Sequence, residues 1–278
     1  MLKEKITYSF LEDVASIAVS AGRIILDIYE NHDLAVEYKK DGSPLTMADL
    51  HSHKFILTSL QELTPDIPIL SEESSPEIHR QRINWSTLWL VDPLDGTKGF
   101  VQGNGEFTVN IALIQDSKPI LGVVYTPVRN LLQYAALGVG AFCVDAQNKC
   151  RPIQTREISD QLVVVVSSRS IQDANLNRFI SKLKLHFSQV ETYPLGSSLK
   201  FCLLADGLAD IYPRFGPTSE WDTAAAQCIL EVAGGKIQNA EGNSLEYNKL
   251  DIVNSAFIAS GSFEANWTEF FSEQLMQQ

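Results

Sequence analysis

Asp92-Pro93-Leu94-Asp95-Gly96-Thr97 places two carboxylates three residues apart, directly after the apolar run Leu88–Val91. Four consecutive apolar residues read as a strand buried on both faces, so polar chemistry can emerge only at its end. Pro93 fixes one backbone angle and Gly96 relaxes another, as a tight turn requires. Such a turn can aim Asp92, Asp95 and the Leu94 carbonyl at one point. Three oxygens converging there suit a hard cation such as Mg²⁺. Gly96 and Thr97 can present backbone N–H groups to a phosphate if they open a helix. The bland alternative is a strand-ending turn with two solvated aspartates.

Other carboxylates sit at element boundaries. Thr46-x-x-Asp49 fits a capping box, which explains Asp49 without any catalysis. Ser219-x-x-Asp222 has the same explanation. Glu72, in Ser71-Glu72-Glu73-Ser74, follows the apolar Ile67–Leu70, and adjacent glutamates are ordinary in a solvated loop. His51 and His53 alternate, which puts them on different helix faces, as surface residues and a poor metal pair. If folding brought Asp49, Glu72, Asp92, Asp95 and Asp222 together, they would repel unless protonated or neutralised by cations. Metal-assisted phosphoryl hydrolysis uses that arrangement. Spacing alone does not bring them together.

The elements that must do so are an alternation of helices and strands. Leu11, Val14, Ala18, Ala21, Ile25 and Ile28 recur at helical spacing over residues 8–30. Residues 39–44 read as a flexible polar connection. A second helix runs from near Thr46 through Leu60, and Pro65 and Pro68 end it. Residues 107–114, 120–125, 131–136 and 140–144 read as strands, with a hairpin at 116–119. Composition changes near residues 151–161. Beyond it come strand 162–166, a helix around 173–184, a strand near 189–192, helix 199–205, strand 209–212 and a helix from Ser219 that stops at Gly234-Gly235. No internal repeat is evident.

The 278 residues are 45% hydrophobic and 20% charged, ample for a large core. A formal net charge of −12, with no basic stripe, argues against nucleic acid as a partner. Four cysteines without a C-x-x-C pair read as a reduced cytoplasmic chain. No signal peptide or membrane span is visible, which leaves peripheral association at the inner face of the membrane open. Monomer and dimer both remain open, with the monomer preferred.

Glu72 in its Ser-Glu-Glu-Ser setting, Asp92-Pro-Leu-Asp-Gly-Thr97 and Trp221-Asp222-Thr-Ala-Ala225 resemble, in order, the motifs of the lithium-sensitive, Mg²⁺-dependent inositol monophosphatase superfamily. Within it, the stretches 92–100, 195–203 and 210–218 look most like the CysQ-type 3′(2′),5′-bisphosphate nucleotidases. The resemblance implies a layered α-β-α-β-α sandwich of the α/β (α+β) class. It divides the chain into an N-terminal α+β portion, residues 1–158, and a C-terminal α/β portion, residues 159–278.

It further implies that Glu72, Asp92, the Leu94 carbonyl, Asp95 and Asp222 hold two or three Mg²⁺. Asp49 and Thr97, with Glu72, would orient and deprotonate the attacking water. Gly96 and Thr97 would contact the scissile phosphate. Ser197, Lys200 and Arg214 would lie toward the nucleotide and its other phosphate. The bland readings are a helix-surface lysine for Lys200 and a surface ion pair for Arg214. Some bisphosphate nucleotidases carry His after the Ser-Arg-Ser run, where this chain has Ile171. The implied reaction is hydrolysis of adenosine 3′,5′-bisphosphate, a by-product of sulfate activation, to AMP and phosphate by direct attack of metal-activated water. The alternatives are an inositol- or sugar-phosphate phosphatase of the same superfamily, or a non-catalytic nucleotide- or phosphate-binding protein. A haloacid-dehalogenase-type phosphatase needs Asp-x-Asp-Gly-Thr with the first Asp as nucleophile, and position 93 is Pro.

Overall fold

The computed structural model describes residues 6–31, 36–39, 42, 44–159, 161–169 and 174–261. Ile171 and Asp173 lie outside them. The chain opens with helix α1 (Tyr8–Glu30), a hairpin of β1 (Val36–Tyr38) and β2 (Pro44–Thr46), helix α2 (Met47–Leu63), β3 (Ile69–Ser71) and a short α3 (Pro76–Gln81). Strand β4 (Thr87–Asp95) leads into the single turn α4 (Thr97–Val101). Then follow β5 (Thr108–Gln115), β6 (Lys118–Thr126), β7 (Leu131–Ala136), β8 (Gly140–Val144) and β9 (Cys150–Pro152). The remainder alternates: β10 (Leu162–Ser167), α5 (Ala174–His186), β11 (Gln189–Pro194), α6 (Leu199–Ala205), β12 (Ile211–Arg214), β13 (Thr218–Ser219), α7 (Glu220–Val232), β14 (Lys236–Asn239), β15 (Val253–Asn254) and β16 (Phe257–Ser260).

Strands β3 to β9 form one seven-stranded sheet in sequence order, antiparallel except for the parallel pair β3–β4. The second sheet has the order β11-β10-β12-β16-β14. Side-chain alternation along two strands fixes the layering. On β4, Trp89 and Val91 pack with Leu11, Val14 and Ile56 of α1 and α2, while Leu88 and Leu90 pack with Ala225 and Ile229 of α7. On β10, Val164 and Val166 join that same α6–α7 core, while Val163 and Val165 pack on Phe179 and Leu183 of α5. The stack is therefore α1/α2, seven-stranded sheet, α6/α7, five-stranded sheet, α5. This is the α-β-α-β-α sandwich that the motifs led us to expect. Among the described residues no helix is long and apolar enough to cross a membrane.

Of the polar connection 39–44, residues 40, 41 and 43 lie outside the described residues; Pro44 opens β2, which pairs with β1 in register Tyr38↔Pro44, a strand pair the sequence reading did not contain. Three-residue strands carry too little hydrophobic alternation to be read from sequence.

Helix α7 lies unusually close to β6. A Cβ on Gly122 would stand 2.2 Å from the Ala225 carbonyl oxygen, and a backbone carbonyl cannot swing aside. Gly122→Ala should therefore destabilise the protein by about 2–3 kcal/mol, a fall in melting temperature of roughly 5–10 °C. A melt within 1 °C of the parent would show that α7 can shift.

Candidate active site

In a regular strand, residues three apart face opposite ways, so Asp92 and Asp95 should diverge. They do not, because β4 is bulged. Asp92 pairs with Asn110 and Asp95 with Thr108, so two residues of β4, Pro93 and Leu94, stand against one of β5, Val109. The extra residue restores the same facing, as bulges do beside sites. Pro93, which has no N–H for the ladder, is tolerated there. The Leu94 amide donates to Asp92 Oδ1 at 3.0 Å and closes the turn. Asp95 Oδ2 accepts from the Ser198 amide at 2.7 Å, Thr108 Oγ1 at 3.3 Å and Asn110 Nδ2 at 3.4 Å.

Asp222 arrives from the other half of the chain, at the start of α7. The Ser219 amide donates to its Oδ2 at 2.8 Å, so the expected cap is real. Ser198 couples it to β4: while its amide holds Asp95, its hydroxyl donates to the Asp222 carbonyl at 2.9 Å. Ligand oxygens of Asp92, Asp95 and Asp222 lie within 4.8 Å of one another, the one such cluster among the described residues. Burial, with repulsion from Glu72, Asp95 and Asp222, drives the Asp92 carboxyl well above its usual range. Burial, then Asp95, pushes Asp222 up to about 8.

Glu72 leaves β3 level with this cluster, its amide donating to the Val91 carbonyl at 3.0 Å. It is not solvated as its sequence setting suggested. The Lys39 ammonium bridges Glu72 Oε1 at 2.7 Å and Glu73 Oε1 at 2.6 Å. Burial raises the Glu72 carboxyl, and Lys39 opposes the shift. Nothing in the sequence pairs residues 39 and 72, and Lys39 was missed.

Asp49 caps α2 and also faces Thr97. Its Oδ2 accepts from the Thr46 amide at 2.7 Å and Thr46 Oγ1 at 2.6 Å, and its Oδ1 lies 3.2 Å from Thr97 Oγ1. Thr97 Oγ1 is also 3.1 Å from the Leu94 carbonyl oxygen. Burial lifts the Asp49 carboxyl, and the Thr46 hydrogen bonds counter it. Gly96 precedes Thr97 at φ +92°, and a Cβ there would lie 2.7 Å from the Glu106 carbonyl oxygen. His53 is half-buried and bonded through Nδ1 to Ser71 Oγ at 2.9 Å, not at the surface as expected; His51 is exposed.

Beside the cluster opens a cavity of about 220 Å³, whose lining includes Asp95, Asp222, Ser197, Lys200 and Arg214. Lys200 is not a helix-surface lysine. It is buried, its ammonium donating to the carbonyls of Ser197 at 2.5 Å and Leu195 at 3.3 Å, and burial lowers its pKa to about 8. Helix α6 is buried nearly all round, so no outer face was available. Among the described residues Arg214 has no ion-pair partner. Its guanidinium is held by the Gly216 and Pro217 carbonyls at 3.1 and 2.9 Å and by Ser168 Oγ, all neutral. Ser197 takes φ +48°, and its Oγ is buried without a hydrogen-bond partner.

A model of the inositol monophosphatase family matches residues 8–275. The chain belongs to that family. Among the family's members, the 3′(2′),5′-bisphosphate nucleotidase CysQ of Salmonella typhimurium is 47% identical over 242 residues, 85% of this chain and 93% of that protein. Its Escherichia coli counterpart is 46% identical over 255 residues, 90% and 99% of the two chains. The crystal structure of CysQ from Bacteroides thetaiotaomicron, a bacterial member of the inositol monophosphatase family, is 40% identical. It aligns with a TM-score of 0.81 over 92% of this chain and 98% of that one.

Inositol monophosphatase family enzymes depend on metal, and the donors here fit one. The clustered ligands are all carboxylate oxygens, the set that hard divalent cations take. A lysine already sits on Glu72, where positive charge is favoured. The electrostatics give a signed prediction. With its pKa raised to about 8, folded Asp222 binds its proton more tightly than the unfolded chain does. Between about pH 4 and 8 the folded state thus holds more protons, and metal-free stability falls as pH rises. We expect the melting temperature in chelator to be lower at pH 8 than at pH 5.5. Added Mg²⁺ should raise it, and more so at pH 8. Equal melts at both pH values, with or without Mg²⁺, would contradict the cluster.

Proposed function

We propose that this chain is a Mg²⁺-dependent 3′(2′),5′-bisphosphate nucleotidase, hydrolysing adenosine 3′,5′-bisphosphate to AMP and phosphate. The observation that carries the proposal is the cavity's lining: two carboxylates of the cluster, Asp95 and Asp222, share it with the cations of Lys200 and Arg214. A substrate with two separated anionic groups matches such a site. The nucleotidase names of relatives at 46–47% identity support it.

In this proposal Glu72, Asp92, Asp95, Asp222 and the Leu94 carbonyl hold two or three Mg²⁺. The ions would supply charge neutralisation at the phosphate oxygens and acidify water. Thr97 Oγ1 orients that water and passes its proton toward Asp49 Oδ1, 3.2 Å away. The Gly96 and Thr97 backbone would fix the scissile phosphate; in-line attack forms the new P–O bond as the P–O3′ bond breaks, and the 3′-oxygen leaves as the hydroxyl of AMP by taking a proton from solvent water, without a phosphoenzyme. Ser197, Lys200 and Arg214 hold the nucleotide side. The division into residues 1–158 and 159–278 belongs to the same proposal, with the chemistry at the junction. So does a cytoplasmic monomer that clears a by-product of sulfur assimilation.

The test is phosphate release from adenosine 3′,5′-bisphosphate with and without Mg²⁺, beside inositol 1-phosphate and fructose 1,6-bisphosphate. Mg²⁺-dependent preference for the nucleotide is expected. Preference for a sugar phosphate would keep the mechanism and replace the substrate. Failure to hydrolyse any ester in Mg²⁺ would make the chain a phosphate-binding protein.

A further inference from the structure

The cavity has one more charged wall. Arg169, just beyond β10, lines it next to Ser168, the residue that anchors Arg214. Its side chain is 53% exposed, whereas its partner Glu106 is 5% exposed. Glu106 takes Arg169 in a two-pronged pair: Nε donates to Oε2 at 2.6 Å and Nη2 to Oε1. A guanidinium has five N–H donors, so one edge in this fork leaves the other for a ligand.

Glu106 is itself fixed. Its Oε2 accepts the Gly196 amide at 2.8 Å. A Cβ on Gly196 would come within 3.0 Å of Glu106 Cβ, and one on Gly96 within 2.7 Å of the Glu106 carbonyl oxygen. Glu106 is thus wedged between the glycine that precedes Thr97 and the glycine that precedes Ser197. That wedge ties Arg169 rigidly to both the carboxylate end and the Ser197 loop. Ser197, which lines the same cavity, has a buried hydroxyl without a hydrogen-bond partner among the described residues.

We infer that Arg169 is a specificity-determining residue for the substrate's second anionic group, the phosphate remote from the carboxylate cluster, and that Glu106 is its positioning residue. The inference rests on the nucleotidase proposal. Lys200 does not duplicate Arg169, because two of its ammonium's three donors are already given to backbone carbonyls and it has no fork to offer. Arg214 can contribute alongside, since all its partners are neutral. Together the two arginines supply the fork geometry that a phosphate takes.

The experiment compares adenosine 3′,5′-bisphosphate with adenosine 3′-monophosphate, which lacks the remote group. KM and kcat are measured for parent, Arg169→Ala, Arg169→Lys and Glu106→Gln in Mg²⁺, with affinity from competition where turnover is slow. Arg169→Ala should raise KM for the bisphosphate roughly ten- to a hundredfold, the worth of a hydrogen bond to a charged group, with kcat within about threefold. KM for the monophosphate should stay within about twofold. Glu106→Gln should move the ratio of the two KM values in the same direction by less. Arg169→Lys, which keeps charge but loses the fork, should fall between. An equal loss on both substrates, or none on either, would reduce Arg169 to a structural strap and overturn the inference. If Arg169→Ala melts early, the ratio in Arg169→Lys decides. A parent enzyme that hydrolyses neither nucleotide would overturn the underlying function instead.

Discussion

Asp95→Asn should cut Mg²⁺-dependent phosphate release by at least a thousandfold, a loss of roughly 4 kcal/mol in transition-state stabilisation. The substitution is close to isosteric. The Asn carbonyl can keep the three donors that now converge on Oδ2, from Ser198, Thr108 and Asn110. What changes is the other side of the group. An amide N–H₂ then faces Asp92 and Asp222, where a cation needs an oxygen lone pair. One negative charge leaves a cluster whose members lie within 4.8 Å. The same change relieves repulsion on Asp92 and Asp222. The metal-free variant should therefore melt no lower than the parent while losing most of the Mg²⁺-induced rise. Lost activity with an unchanged Mg²⁺ response would remove Asp95 from the metal site. Retained activity would sink the proposed chemistry.

The turn around Asp95 was legible because its signals are local. An apolar run, a proline, two carboxylates and a glycine lie within ten residues. The bulge that makes them converge was not legible, since it depends on register against β5. Asp49 and Asp222 were ambiguous for a physical reason: the capping and site roles use the same carboxylate. Asp49 Oδ2 serves Thr46 while Oδ1 faces Thr97. A sequence pattern reports only the cap.

What the sequence concealed is long-range pairing and burial. Glu106 and Arg169 are separated by 63 residues, Lys39 and Glu72 by 33. Neither pair has a periodic or motif signature. Lys200 misleads because a lysine on a short helix ordinarily faces water, and only the enclosure of α6 between two sheets buries it. The layered fold was clearer, because strands buried on both faces are continuous apolar runs. Even so, assigning alternate residues of β4 and β10 to different cores required the coordinates.

Thr97→Ala should lower kcat by roughly a hundred- to ten-thousandfold with KM changed less than about threefold. Thr97 Oγ1 stands between Asp49 Oδ1 at 3.2 Å and the Leu94 carbonyl at 3.1 Å. Both are acceptors, so the hydroxyl proton goes to one of them and its lone pairs remain for water. Asp49 is the acceptor that can also take the proton on, because burial has already raised its pKa. Asp49→Asn keeps the Thr46 bonds through its carbonyl but turns an N–H₂ toward Thr97, reversing the polarity of the pair. It should cost about as much as Thr97→Ala. If the two act as one relay, the double variant should be no slower than the worse single. Thr97→Ser should recover most of the rate, since only the hydroxyl is needed. Independent, multiplying losses in the double variant would mean that Asp49 and Thr97 do not act as one relay. A Thr97→Ala enzyme within fivefold of the parent would place proton removal on another group.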